Sequence, residues 1–434
     1  MDTLDRTLAP PFGKIGRVDF IKHQEYKLDN GIPVYLINAG TEELSRVEFM
    51  FDGGDWYANK PLIANMTNAM LNEGTKHRSG TELSEKIDYF GAFLETEAQQ
   101  DFSFISLYSL NKHLENVMPY FREAVVDSVF PEKEFNILIE NKKQKWFVSN
   151  EKVGDVCRKH FNRFLFGDHH PYSLIAVEGD FDNLKREDLI RFYTNQYKSN
   201  RCQIIVAGKV DESVVSLLNK QFGGNDWSGI GITNPNQQNP SAYTINPLEE
   251  KKNFIAKEGA VQNAIRIGKR MFNKTHEDYL PMTILNTVLG GYFGSRLMTN
   301  IREDKGYTYG IGSGMASLLH DGMFYIGTEV GADVCSSALE EIYKEINILR
   351  TDLIPDEELD LVKNYLMGSY LKSLDGPFAL ADKYMGIKVY GLDYSFYDKY
   401  LATLKDVSSK QLLELAKQYL DPDSMHELVV GKKD

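Results

Sequence analysis

Arg302 and Tyr309 are the side chains whose types and setting suggest chemistry most directly. A guanidinium and a phenol are hydrogen-bond donors, and donors aimed at an oxygen that gains negative charge stabilise the tetrahedral intermediate of acyl transfer. Both belong to one stretch, Leu289-Gly290-Gly291-Tyr292-Phe293-Gly294-Ser295-Arg296-Leu297 followed by Ile301-Arg302-Glu303-Asp304-Lys305-Gly306-Tyr307-Thr308-Tyr309. On pattern alone the pair reads first as a solvated helix-end charge and a core tyrosine, and only the surrounding signature favours chemistry. The glycines do not form a phosphate loop, since no Gly-Lys-Ser/Thr follows and no parallel-strand run leads in. Among the histidines, His23, His77, His113, His160, His276, His320 and His426 have no partner at helical spacing. Cys157, Cys202 and Cys335 lie far apart without a Cys-x-x-Cys pair and read as reduced, mostly buried thiols.

The elements that would hold these residues follow from period and punctuation. Turn residues Asp29-Asn30-Gly31 between Tyr26, Leu28 and Val34-Tyr35-Leu36 predict a hairpin, and Ser45 to Phe51 alternates as a strand. Phe93 to Leu110 predicts one or two strands, Leu114 to Asp127 a helix, and Pro131-Glu132-Lys133-Glu134 the start of another helix reaching Phe147. Residues 1–22 read as an irregular arm. Between Asn225 and Lys252 the pattern dissolves into Gly, Asn, Gln, Pro and Ser, which is linker composition. Beyond it the signals start over. Pro131-Glu132-Lys133-Glu134 is echoed by Pro355-Asp356-Glu357-Glu358, 224 positions on; Gln196-Tyr197 recurs as Gln418-Tyr419, and Ile205 to Lys209 as Leu428 to Lys432. One recurring spacing predicts a duplicated α+β unit: an N-terminal domain at 1–230, a linker at 231–250 and a C-terminal domain at 251–434. Each is expected to be a mostly antiparallel sheet with helices packed on one face, the pair enclosing a central cavity.

Pro61 to Thr75 carries apolar residues at Leu62, Met66, Ala69 and Met70, one face of a helix that Gly74 should stop. Its frame of Ala64, Met70, Leu71, Gly74 and Thr75 resembles the zinc helix of the pitrilysin, insulinase and mitochondrial-processing-peptidase family. In that family two histidines one helical turn apart hold zinc while a glutamate between them takes a proton from bound water. Here Asn65 and Ala69 stand at the histidine positions and Asn68 at the base. Asparagine amides are poor zinc ligands and cannot act as the base. The stretch from Leu289 to Tyr309 is the strongest match to the family. The resemblance implies that Arg302 and Tyr309 donate to the substrate carbonyl, and that Glu140 lies where a third zinc ligand would stand, as a relic beside Asn65 or a surface acid. Glu95 and Asp101, within Gly91 to Phe104, fall where the family has an edge strand that receives an extended peptide.

The expected function is that of a catalytically incomplete zinc-peptidase-like subunit. It would pair with a zinc-bearing chain of the same fold and contribute peptide contacts, holding no cofactor itself. The alternative is a structural or peptide-binding scaffold with no share in catalysis, and a homodimer is a further possibility. Net charge of −13 disfavours nucleic acid and anionic membranes and favours a basic peptide. No membrane span or signal peptide is visible, so the expected location is cytoplasmic.

Overall fold

The computed structural model of the chain describes residues 20–228, 243 and 245–433. Most of the expected N-terminal arm, and 229–242 and 244 of the expected linker, therefore lie outside the described residues. The described strands build two sheets. The first contains β1 (Gln24–Lys27), β2 (Pro33–Asn38), β3 (Leu44–Phe51), β4 (Phe93–Ala98), β5 (Ser103–Leu110) and β6 (Cys202–Gly208), in the order β1-β2-β6-β3-β5-β4. The second contains β7 (Lys252–Ala256), β8 (Gln262–Met271), β9 (Thr308–Ser317), β10 (Gly322–Gly331) and β11 (His426–Gly431), in the order β7-β11-β8-β10-β9.

Leaving β1 aside, the two orders correspond strand for strand. β2 with β6 and β7 with β11 are the parallel pairs, and all other neighbours are antiparallel. The echoes in sequence sit at matching places. Helices Glu132–Glu151 and Asp356–Lys372 are both entered through a proline, and Arg186–Gln196 corresponds to Ser409–Tyr419. Gly208 and Gly431 end matching strands with φ of 142° and 155°. A Cβ would lie 2.2 Å from the Leu44 carbonyl oxygen at the first and 2.0 Å from Asn263 Oδ1 at the second. Glycine is demanded twice by the same geometry.

The fold is α+β, but the expectation of helices on one face only needs amending. In β2, Val34 and Leu36 enter the core under the N-terminal half's own helices, while Tyr35 and Ile37 point the opposite way. That opposite face is covered by Leu380, Ala381, Tyr384 and Met385 of helix Pro377–Lys388, which comes from the other half. The exchange is reciprocal. Helix Val153–Phe166 of the first half packs Cys157, Phe161 and Leu165 on Ala264, Leu428 and Val430 of the second sheet. Central strands buried on both faces need continuous apolar runs, which is why Val34 to Ile37 and Ile204 to Ala207 do not alternate with polar residues.

Between the halves lies a buried polar brace. Tyr172 Oη donates to Asp101 Oδ1 at 2.6 Å, Leu319 N donates to Asp101 Oδ2 at 3.0 Å, and His320 N donates to Tyr172 Oη at 3.2 Å. The His320 ring lies 4.0 Å from that of Trp56. Asp101→Ala would strand two buried donors, so a loss of about 2–3 kcal/mol in denaturant unfolding is expected.

Acid should weaken the fold at two histidines. His170 is buried and its Nδ1 accepts from Tyr172 N at 3.2 Å, so the fold needs the ring neutral. Burial lowers His170 to about 4, and burial with the charge of Lys251 does the same to His426. The unfolded rings, with ordinary values near 6.5, bind protons first as pH falls, so this contribution is complete above 6.5 and lost towards 4. Asp55 works the other way: burial and Asp101 push it up to about 6, so acid relieves it. Compared with a variant lacking the two rings, the protein should therefore lose thermal midpoint between pH 6.5 and 4, which paired melting series would measure.

Candidate functional site

In the first half the zinc-like helix forms as Ile63–Ala69, with Ile63, Ala64, Met66, Thr67 and Asn68 buried. The residues at the three chemical positions are engaged in structure or inert. Asn68 is 1% exposed, and its Nδ2 donates to the Phe104 carbonyl on β5 at 3.0 Å and to Tyr197 Oη at 3.2 Å. It pins the helix to the sheet and to the end of helix Arg186–Gln196. Asn65 is exposed, and its Oδ1 accepts from Lys142 Nζ; Ala69 offers a methyl group.

Of the two places offered for Glu140, beside Asn65 or on the surface, it takes the surface. Glu140 is exposed on helix Glu132–Glu151, and the residue of that helix facing Asn65 is Lys142. Helical period explains the choice, because Phe135, Ile139, Lys142 and Trp146 share the inward face and Glu140 does not. Burial and the neighbouring Lys145 charge lower the Lys142 pKa. An ammonium group therefore already points at the place where a metal would sit. With two amides, a methyl and a cation around it, this place does not fit zinc. Among the described residues no three His, Cys, Asp or Glu side chains are grouped to hold a metal ion.

Glu95 and Asp101 have different fates. Both border a cavity of about 530 Å³ between the first sheet and helix Pro377–Lys388. Glu95 is exposed on β4, which pairs with β5 alone and leaves its outer edge open. Asp101 is 8% exposed and its carboxylate is occupied by the brace, so it positions the halves instead of offering a contact to peptide. At the cavity floor Arg46 Nη2 donates to Asp382 Oδ1 at 2.5 Å, and Glu48 accepts from Ser106 Oγ at 2.9 Å.

In the second half the glycine-rich stretch is held by packing. A Cβ at Gly290 would stand 2.6 Å from Ser313 N on β9, so only glycine allows that approach. Arg296 donates from Nε and Nη2 to the two carboxylate oxygens of Glu358, both at 2.8 Å, and fastens the stretch to helix Asp356–Lys372. Arg302 lies in the last turn of the wide helix Met298–Asp304, and its guanidinium lies 4.6 Å from the Phe293 ring and 5.6 Å from the Tyr309 ring. Tyr309 is 92% exposed. Tyr307 and Tyr309 do not share a face. The strand starts at Thr308, its register slips opposite Thr328 and Val330, and Tyr307 packs against the core. Half-buried Arg302 and exposed Tyr309 thus form one donor pair, with Phe293 as a neighbour that sequence reasoning did not single out.

The comparisons agree with this picture. The family description "Peptidase M16 inactive domain" matches residues 183–366. An uncharacterized zinc protease, YmxG of Bacillus subtilis, is 24% identical over 361 residues, covering 81% of this chain and 84% of its own. The non-peptidase homolog YmxG of Helicobacter pylori is 20% identical over 424 residues, covering 95% and 94%. A crystal structure of a peptidase M16 inactive domain from Pseudomonas fluorescens superposes with a TM-score of 0.81 at 21% identity, over 95% of this chain and 98% of that one. A protease from Helicobacter pylori gives 0.85 at 17% identity, over 95% and 100%. These two show a shared fold. With the glycine-rich signature matched and Asn65, Asn68 and Ala69 at the zinc-helix positions, the chain is similar to the peptidase M16 family, the pitrilysin and insulinase group, and the family description it matches is that of the inactive domain.

Proposed function

We propose that this chain is the donor-bearing half of a two-chain peptidase. A second chain of the same fold carries the zinc and activates water. This one closes the cavity and presents Arg302 and Tyr309 to the carbonyl oxygen of the bond being cut. The observation that carries the reading is an asymmetry. The donor pair is intact, Tyr309 exposed and Arg302 half-buried, with ring contacts as its support, whereas the zinc positions have been taken into the core as Asn68 or turned towards Lys142 as Asn65. The chemistry of the pair is oxyanion stabilisation, which needs donors near the developing charge and no metal in the same chain. Glu95 on the open edge of β4 is the further residue we assign to peptide contact.

Among the described residues no helix is long and apolar enough to cross a membrane. A cytoplasmic site of action belongs to this proposal and rests on the thiols Cys157 and Cys202, which are buried and form no disulfide among the described residues. The test is reconstitution with a zinc-bearing M16 chain from the same genome. Peptide turnover is expected from the mixture and not from this chain alone. Unchanged turnover with and without this chain would favour a scaffold, and hydrolysis by this chain alone would refute the division of labour.

A further inference from the structure

The internal duplication supplies its own control for the charges in the molecule. The cavity above the first sheet is bounded by β3, β5, the open edge strand β4 and helix Pro377–Lys388. A second cavity, of about 650 Å³, occupies the matching place in the other half, bounded by β8, β10, the open edge strand β9 and helix Val153–Phe166. Through β6 and β11, Arg266 of the second occupies the register position of Glu48 in the first, since Glu48 pairs with Ile205 and Arg266 with Leu428. In the first cavity the guanidinium is matched, as Arg46 meets Asp382 and Glu48. In the second it is not.

Arg266 is half-buried, and among the described residues no carboxylate pairs with it. Its guanidinium carbon lies 4.7 Å from the Tyr325 ring. The other charges of that cavity are engaged elsewhere or set apart. Asp155 accepts from Ser149 Oγ at 3.0 Å and from Arg158 Nη2 at 2.7 Å. Glu329 is exposed, with its carboxylate packed against Gly154. The walls add little bulk, because β9 and β10 contribute Gly310, Gly312 and Gly327, and exposed Tyr309 stands at the rim. A guanidinium partly withdrawn from water and lacking a counter-ion costs stability, and a carboxylate arriving from outside would offset that cost with two parallel hydrogen bonds.

We propose that Arg266 is a carboxylate-binding residue, and that the cavity beside Tyr309 receives a carboxylate of the bound peptide, from its C-terminus or from an acidic side chain. This inference rests on the reading that peptide reaches Tyr309. The overall charge of −13 does not oppose it, since charges beyond roughly 8–10 Å are screened in physiological salt and contact is decided locally.

The test is fluorescence anisotropy on the full chain. The probes are a neutral peptide amide, the same peptide with a free C-terminal carboxylate, and the amide with one glutamate moved along it. Roughly tenfold tighter binding is expected for at least one carboxylate form, the free-acid arm identifying the C-terminus and the glutamate arm a side chain. The preference should vanish in Arg266→Gln. Arg266→Met should lose it too, with a melting temperature equal to or above wild type, because no internal ion pair is broken. Equal affinities for all probes, no binding of either carboxylate form, or a preference that survives Arg266→Gln would overturn the proposal. Tyr309→Phe separates it from the functional reading: reconstituted turnover should fall while the carboxylate preference stays. If turnover is untouched by Tyr309→Phe but the preference still depends on Arg266, the catalytic reading fails and the binding site stands.

Discussion

Arg302→Gln, assayed in the reconstituted pair, is expected to lower kcat by about 10²- to 10³-fold, the effect of removing one preorganised oxyanion donor. Tyr309→Phe should cost a similar factor, since it deletes one hydroxyl and leaves the ring against Arg302 in place. The double variant should fall short of the product of the two, because neighbouring donors that serve one oxygen act as a unit. Stability should hardly move. Tyr309 is 92% exposed, and Arg302 touches rings and no carboxylate among the described residues, so each change should stay within about 0.5 kcal/mol of wild type. A large kinetic loss beside an unchanged melting curve identifies a group used at the reacting carbonyl. Loss of both would mean that the pair supports the fold.

Asn68→Glu is expected to do the reverse, damaging the fold without creating an enzyme. The change restores the family's general base in name only. Asn68 is 1% exposed, and its Nδ2 donates to the Phe104 carbonyl at 3.0 Å and Tyr197 Oη at 3.2 Å. An ionised carboxylate has no donor to give, so it would face a carbonyl oxygen in a buried site, one methylene too long for the space. A cost of about 3–5 kcal/mol in denaturant unfolding follows, against about 1–3 kcal/mol for Asn68→Ala, which merely leaves the acceptors unmet. Adding histidine at positions 65 and 69 should still not hold zinc while Lys142 directs its ammonium at the same place. If Asn68→Glu were as stable as wild type, its amide would not be the pin described above.

Much of the architecture was legible because it depends on local pattern. The hairpin at Asp29-Asn30-Gly31, the proline-led helices at Pro131 and Pro355 and the matching strand ends at Gly208 and Gly431 are each set by neighbours in sequence, and the spacing of the last two pairs parallels the matching order of the two sheets. What stayed hidden depends on which half covers which sheet. The run Val34 to Ile37 announces a strand buried twice, yet nothing in it says that helix Pro377–Lys388 forms the second cover. Asp101 shows the same limit: read as an edge-strand contact, it is consumed by Tyr172 and Leu319, 71 and 218 positions away. Lys142 was within reach, because the inward face counted from Phe135 passes through it. Distance from the zinc helix pointed to Glu140, whereas the helical period selects the side chain that faces inward. Arg266 had no sequence signal, since a missing counter-ion is visible only when the surroundings are assembled.

The measurement that bears most directly on the account is zinc stoichiometry of the reconstituted complex after dialysis, with each chain also measured alone. Zinc confined to the partner, at one ion per pair and none retained by this chain, is the predicted result. Two ions per pair, or one ion held by this chain by itself, would contradict it.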